Sequence, residues 1–175
     1  SCGTLSIISW NIELFPKEGI NTIEEVNNII NSLSPNIIAL QEISSNNDGF
    51  SILSDSLNQY SSILQDNGTY SLAFLYNTQS PLEFIESYEI YTNSYSFPRP
   101  PLILHIQWYN EDIYIINNHY KCCDGSDNFE RRVSASNLLD EYVYNYLHDE
   151  KVIIIGDLND SLDDPYQQNA FSIFI

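Results

Sequence analysis

Apolar residues fall in short runs along this chain, separated by the small and polar residues of turns. Runs rich in Ile, Leu, Tyr and Phe predict strands over 5–11, 36–42, 61–65, 70–76, 82–88, 101–109, 112–119 and 152–157. Two segments have helical spacing instead. In TIEEVNNIINSL, Ile23, Val26, Ile30 and Leu33 share a face, and Thr22 with Glu25 forms a capping box. Over 128–148, Phe129, Val133, Leu138, Leu139, Tyr142, Val143, Tyr146 and Leu147 do the same. A shorter helix is expected over 48–59, with Phe50, Leu53 and Leu57 in register. LILHIQWYNEDIYIINNH alternates on both sides of Asn110 and Glu111, which predicts an antiparallel hairpin turning there. Hairpins mixed with helical crossovers point to one α/β domain over 1–175, a sandwich of sheets with helices outside. The apolar FSIFI at 171–175 reads as a core segment whose partners should follow it.

Composition fits this picture. At 175 residues, 43% hydrophobic and 13% aromatic, the chain can build one proper core. No apolar stretch approaches the roughly 18 residues of a membrane span. Charge changes the picture more. With 24 acidic and 6 basic residues the net charge is -18, which repels nucleic acid, membranes and phosphorylated ligands at long range. A sequence-independent DNA-coating protein is disfavoured, and an anionic substrate would have to be met by a bound cation and the few arginines. The chain has no Met and begins Ser-Cys-Gly, which suggests either a processed product, secreted or periplasmic after loss of a signal, or a domain cut at its edge. Cys2, Cys122 and Cys123 lack zinc-site spacing. A disulfide from Cys2 to one of the adjacent pair and free buried thiols are the two readings.

Candidate chemistry lies where the apolar runs stop. LSIISWN ends in Asn11, IIALQE in Glu42, IYIINNH in His119, and VIIIGDLN in Asp157 and Asn159. Each has an ordinary explanation alone: a turn residue for Asn11, a solvated strand end for Glu42, a satisfied core histidine for His119, an Asx-turn for Asp157 and Asn159. Gathered at one end of the strands they would form a pocket with a carboxylate pair, two amides and an imidazole. That donor set suits magnesium and a phosphate ester, because magnesium takes one or two carboxylates and keeps waters. The acidic loop does not fit an EF-hand, since Leu162 stands where the sharp-turn Gly belongs and Gln168 where the bidentate Glu belongs. No Walker, G-x-S-x-G or H-E-x-x-H motif is present. His105 and His148 are expected to be structural or surface residues.

These segments resemble the endonuclease/exonuclease/phosphatase superfamily, which includes deoxyribonuclease I. SWNIELF is similar to its first strand motif, IIALQEI to its L-Q-E motif, IIGDLND to its G-D-x-N motif, FPRPPL to an F-x-R-x-P stretch and NNHYK to its histidine strand. The resemblance implies a four-layered α/β/β/α sandwich of two mixed sheets. It further implies that Glu42, with Asn11 beside it, binds a divalent ion, Mg2+ or alternatively Mn2+ or Ca2+. Asp157 and Asn159 would position water and the phosphoryl group, His119 would hydrogen-bond or protonate a phosphoryl or leaving oxygen, and Arg99 and Tyr70 would hold phosphate. The implied activity is phosphodiester hydrolysis by direct water attack, most naturally on DNA or RNA. A phosphatase or phospholipase of the same fold, and a non-catalytic module, are the alternatives. The family's closing S-D-H motif is absent, so the chain is expected to lack C-terminal strands and to be a fragment or a truncated relative.

Overall fold

The structure is a computed structural model that describes residues 3–44, 46–66 and 70–175. Strands β1 (Ile7–Phe15), β2 (Ile37–Ile43), β3 (Tyr60–Leu64) and β4 (Ser71–Asn77) form one sheet in the order β1-β2-β4-β3. Strands β5 (Leu82–Glu89), β6 (Leu102–Trp108), β7 (Glu111–His119) and β8 (Lys151–Asp157) form the other in the order β5-β6-β7-β8. Each sheet is mixed: β1 and β2 are parallel, as are β7 and β8, and the remaining neighbours are antiparallel.

Strand alternation builds four layers. On the outer face of the first sheet, Ile38, Leu40 and Leu75 pack against Ile23, Val26 and Ile30 of helix α1 (Ile20–Leu33) and Phe50 and Leu53 of helix α2 (Gly49–Ser56). The opposite parity, Ile37, Ala39 and Phe74, meets Leu104, Ile106 and Ile115 between the sheets. Ile103 and Ile116 then face Ala135 and Leu139 of helix α3 (Ser126–Tyr146). Each such aliphatic side chain taken from water contributes about 1.5–3 kcal/mol, so the parity of every strand is strongly fixed. This is the expected α/β/β/α sandwich.

Local expectations fared unevenly. Helix α1 starts at Ile20, with Gly19 at its N-cap and no side-chain cap, so there is no capping box. Thr22 lies inside the first turn, and its hydroxyl accepts the Glu18 N–H at 2.9 Å. Leu33, in the last turn, is exposed, as are Tyr146 on α3 and most of the final segment. Of FSIFI, Phe171 is buried against Tyr120, while a short 3-10 turn over Ser172–Phe174 leaves Ile173, Phe174 and Ile175 outward. The β6–β7 hairpin turns at Tyr109 and Asn110, one residue earlier than expected. Both have positive φ, 50° and 66°, the pattern of a two-residue I′ turn. Cys122 and Cys123 carry free thiols, and the expected disulfide partner Cys2 lies outside the described residues.

Topology decides where chemistry gathers. The C-terminal ends of β1, β2, β7 and β8 meet at one edge of the sandwich. Antiparallel pairing of Ile43 with Ser71 and of Asn117 with Leu102 brings the starts of β4 and β6 to the same edge. Tyr70 and Arg99, which precede those strands, are thereby delivered beside Asn11, Glu42, His119 and Asp157.

Candidate active site

Simple alternation would not place Glu42 in this edge. Leu40 faces the helices and Gln41 the inter-sheet core, so an unbroken strand would send Glu42 toward the helices. Instead its backbone is left-handed, φ 65°, where the register with β4 shifts between Leu40 and Ile43. Strand β1 breaks at the same level. Glu13 and Leu14 have φ of 35° and 57°, within a register shift between Asn11 and Phe15. Paired irregularities of this kind re-aim side chains at sheet ends, at a cost of order 1–3 kcal/mol for each strained residue. Here they are tied down by the side chains they aim. Asn11 Oδ1 accepts the Glu13 N–H at 2.9 Å, and Glu42 Oε2 accepts the Leu14 N–H at 3.2 Å.

The second sheet supplies the other half. His119 pairs with Asp157, and Asn118 with Gly156, across parallel strands. Gly156 has φ 142°, and a Cβ built there would stand 2.0 Å from the Asn118 carbonyl oxygen. Only glycine lets β8 lie this close to β7. Asn11 Nδ2 donates to Asp157 Oδ2 at 2.7 Å and to Glu42 Oε1 at 3.1 Å, so one amide bridges the carboxylates of the two sheets.

His119 is 4% exposed, with Nε2 3.8 Å from Glu42 Oε1 and 3.9 Å from Asp157 Oδ2. Those gaps are too long for hydrogen bonds. Its buried Nδ1 has no partner among the described residues. Burial, and next the Arg99 charge, lower the His119 pKa; Asp157 and Glu42 oppose the shift less strongly. The ring is therefore neutral at neutral pH. Arg99 is itself pulled below its ordinary value by burial, against the pull of Glu42 and other groups. Its Nε donates to the Tyr70 carbonyl at 3.0 Å, and its guanidinium carbon lies 5.1 Å from the centre of the Tyr70 ring.

Asn159 sits differently from the other predicted residues. Its left-handed backbone, φ 50°, sends its N–H to Asp157 Oδ1 at 3.1 Å, while its side-chain amide donates to the Tyr120 carbonyl at 3.1 Å. It braces the loop that carries Asp157. Beneath the site lies a buried pair that sequence reasoning missed. Gln41 Nε2 donates to Asn117 Oδ1 at 2.8 Å, and Asn117 Nδ2 donates to the Leu40 and Ala73 carbonyls at 3.0 Å and 3.1 Å. Asn117 lies two residues before His119 and shares its strand face, but nothing in the sequence identified its partner on β2.

Glu13, Leu14, Glu42, Tyr70, Arg99, His119 and Cys122 line an open cleft of about 420 Å³. Larger hollows of about 490 Å³ lie along α3 and beside β8, and each holds one carboxylate among mostly apolar or aromatic residues. At this edge, carboxylate oxygens of Glu42, which lines the cleft, and of Asp157 stand 3.8 Å and 3.9 Å from a neutral imidazole, and no three His, Cys, Asp or Glu side chains among the described residues form a cage for an ion. One or two carboxylates with room for water suit a hydrated hard cation and do not suit a closed zinc site.

The two-sheet sandwich gathers two carboxylates, a neutral histidine and an arginine set over a tyrosine ring at one edge. The family model for the Endonuclease/Exonuclease/phosphatase family matches residues 8–170, and the chain belongs to that family. No curated protein sequence gives a significant match. Among solved structures, Danio rerio TDP2 complexed with single strand DNA product is 19% identical, with TM-score 0.76 over 90% of this chain and 61% of that one. The mannosyl-6-phosphatase of Bacteroides thetaiotaomicron is 16% identical, with TM-score 0.72 over 98% and 71%. The human nocturnin catalytic domain with bound sulfate anion is 17% identical, with TM-score 0.72 over 91% and 65%. At these identities the likeness is one of fold, and the chain spans about six-tenths of the length of the TDP2 chain it matches.

Proposed function

We propose that this protein is a divalent-cation-dependent phosphodiesterase, acting on DNA or RNA by direct attack of water. The observation that carries the reading is the meeting of Glu42, Asp157, His119 and Arg99 at one sandwich edge, held by the bridging amide of Asn11. Family membership supports phosphate-ester chemistry. Glu42, with Asn11 beside it, would hold the cation, magnesium in the first instance; when bound it neutralises charge developing on phosphoryl oxygens. Asp157, held by Asn11 and by the Asn159 N–H, orients and takes a proton from the attacking water. His119 enters neutral and donates one N–H to a phosphoryl or leaving oxygen. Arg99, whose Nε is engaged by Tyr70, offers its terminal amino groups to a non-bridging oxygen.

The acidity of the chain favours a second reading, a phosphatase or phospholipase acting on a smaller ester that meets less repulsion. One assay set separates them. The purified protein is given bis-p-nitrophenyl phosphate, plasmid DNA, a single-stranded oligonucleotide, a sugar phosphate and sphingomyelin, with magnesium and with excess EDTA. Cleavage of the nucleic acids that EDTA abolishes, and that Glu42→Gln and His119→Asn each reduce at least about a hundredfold, is expected. EDTA-resistant turnover, or turnover untouched in Glu42→Gln, contradicts the proposal. Turnover confined to the sugar phosphate or lipid selects the second reading.

A further inference from the structure

Cys122 and Cys123 were singled out in the sequence, and hydrolysis has no use for them. Cys122 lines the cleft with Glu42, His119 and Arg99, whereas Cys123 is exposed outside it. The loop that holds them is fixed. Arg132, buried in α3 and paired with Asp160 at 2.8 Å, donates through Nη1 to the Lys121 and Cys123 carbonyls at 3.1 Å and 3.2 Å. Positive charge is scarce in this protein, with 6 Lys and Arg against 24 acids. Yet Lys121 Nζ stands 3.7 Å from Cys122 Sγ, and Arg99 shares the cleft. We propose that Cys122 is a reversible thiolation site for small anionic disulfides, and that its mixed disulfide closes the phosphate end of the cleft.

The chemistry balances without further reactants. The Cys122 thiolate attacks one sulfur of a disulfide RSSR, the S–S bond breaks, and RS– leaves as the protein–S–S–R bond forms. The protein sulfur is oxidised and one RSH appears per site. Cys122 is the nucleophile of the pair, because the Cys123 hydrogen bond, and after it the Lys121 and Arg99 charges, lower its pKa, while the same contact raises that of Cys123. Closure to a Cys122–Cys123 disulfide would release R again but is unfavourable. Adjacent Cα atoms are about 3.8 Å apart across a trans peptide, short of the roughly 4.4–6.8 Å that unstrained disulfides span. The mixed disulfide therefore persists. An R group carrying carboxylates would be met by Lys121 and by Arg99, the cation to which the proposed function assigns phosphate.

The blocking half of the inference rests on that function, and the labelling half does not. The full chain is incubated with glutathione disulfide, digested and mapped by mass spectrometry, which also separates Cys2 from the pair. Cys122 should acquire glutathione at least about tenfold faster than Cys123, both in the wild type and when Cys123→Ser removes the neighbour. Lys121→Gln should slow the labelling several-fold. Hydrolysis of bis-p-nitrophenyl phosphate should fall in step with labelling and return with dithiothreitol, and Cys122→Ser should make turnover insensitive to the disulfide. First labelling at Cys123, or full turnover by protein thiolated at Cys122, overturns the inference. Unlabelled protein that hydrolyses nothing counts against the phosphodiesterase reading, and the labelling order still decides the site.

Discussion

Gly156→Ala tests how the two strands that present His119 and Asp157 are held together. The added methyl would stand 2.0 Å from the Asn118 carbonyl oxygen and 2.8 Å from its carbonyl carbon and amide nitrogen, all of them backbone atoms. A side chain could swing away, but a backbone carbonyl in a parallel ladder cannot move without breaking pairs. The φ of 142° also lies where residues with a Cβ are strained, at about 1–3 kcal/mol. Forcing an extra carbon into packed structure costs about 1–3 kcal/mol more. The sum is about 2–6 kcal/mol, or a melting temperature lowered by roughly 4–24 °C for a chain of this size. Urea unfolding followed by circular dichroism measures the first quantity, and a thermal scan the second. Because Asn118 and Gly156 pair immediately before His119 and Asp157, the folded variant should also lose most of its hydrolytic turnover. A change below about 0.5 kcal/mol, the usual range for unconstrained surface sites, would mean that the close approach of β7 and β8 does not exist.

Three further outcomes follow from the site. Asn11→Ala removes the donor shared by Glu42 and Asp157 and should cost about 1–2 kcal/mol in metal-free buffer, a deficit that grows on adding magnesium because Asn11 stands beside Glu42 where the cation would sit; an equal deficit with and without the ion would remove Asn11 from the cation site. His119 is held below its ordinary pKa, so below about pH 6.5 the unfolded chain binds a proton that the folded chain resists, and stability falls with falling pH by up to about 1.4 kcal/mol per unit. His119→Asn should flatten that slope in metal-free urea titrations, and parallel slopes would contradict the assignment. Arg99→Lys loses the planar fork and should lower kcat/KM by roughly ten- to a hundredfold, the equivalent of one charged hydrogen bond, with a melting temperature within about 2 °C of wild type; unchanged kcat/KM would remove Arg99 from phosphate contact.

Which parts of this were legible beforehand depends on whether a residue obeys its strand. Asn117 and His119 follow the parity of β7, and both face inward as alternation requires. The strands themselves were found within a residue or two, except that β1 continues through its irregular stretch to Phe15. Glu42 does not obey. Its place at the end of an apolar run and the L-Q-E resemblance both nominated it, but its delivery depends on a left-handed backbone that no side-chain pattern records. Tyr70 and Arg99 lie far from the other residues in sequence, and the antiparallel partners of β2 and β7 explain why they arrive at the same edge. Helix boundaries failed for a local reason. Thr22 and Glu25 satisfy the capping-box spacing, but Gly19 turns the chain three residues earlier and leaves Thr22 in the first turn. Cys122 entered the cleft unannounced, because the loop after His119 is shaped by Arg132, which reaches back from the helix that follows it.

The charge of the molecule sets a last expectation. A protein of net charge -18 that cleaves a polyanion must bring two negative bodies together, and Arg99 and Lys121 are local exceptions in that field. At about 0.01 M ionic strength the screening length is about 30 Å, comparable with the whole domain, and approaching DNA feels the full repulsion. At about 0.15 M it shrinks to about 8 Å, so the distant acids are screened while cleft contacts at 3–4 Å persist. With free magnesium held fixed, kcat/KM for an oligonucleotide should therefore rise as potassium chloride is raised over that range. Bis-p-nitrophenyl phosphate carries one charge and should respond much less. This is opposite to the behaviour of proteins that bind nucleic acid through basic surfaces, whose affinity falls steeply with salt as phosphate counterions are released. A steep fall in kcat/KM for DNA over the same range would show that a basic path to the cleft outweighs the acidic surface, and the repulsion assigned to that surface would have to be abandoned.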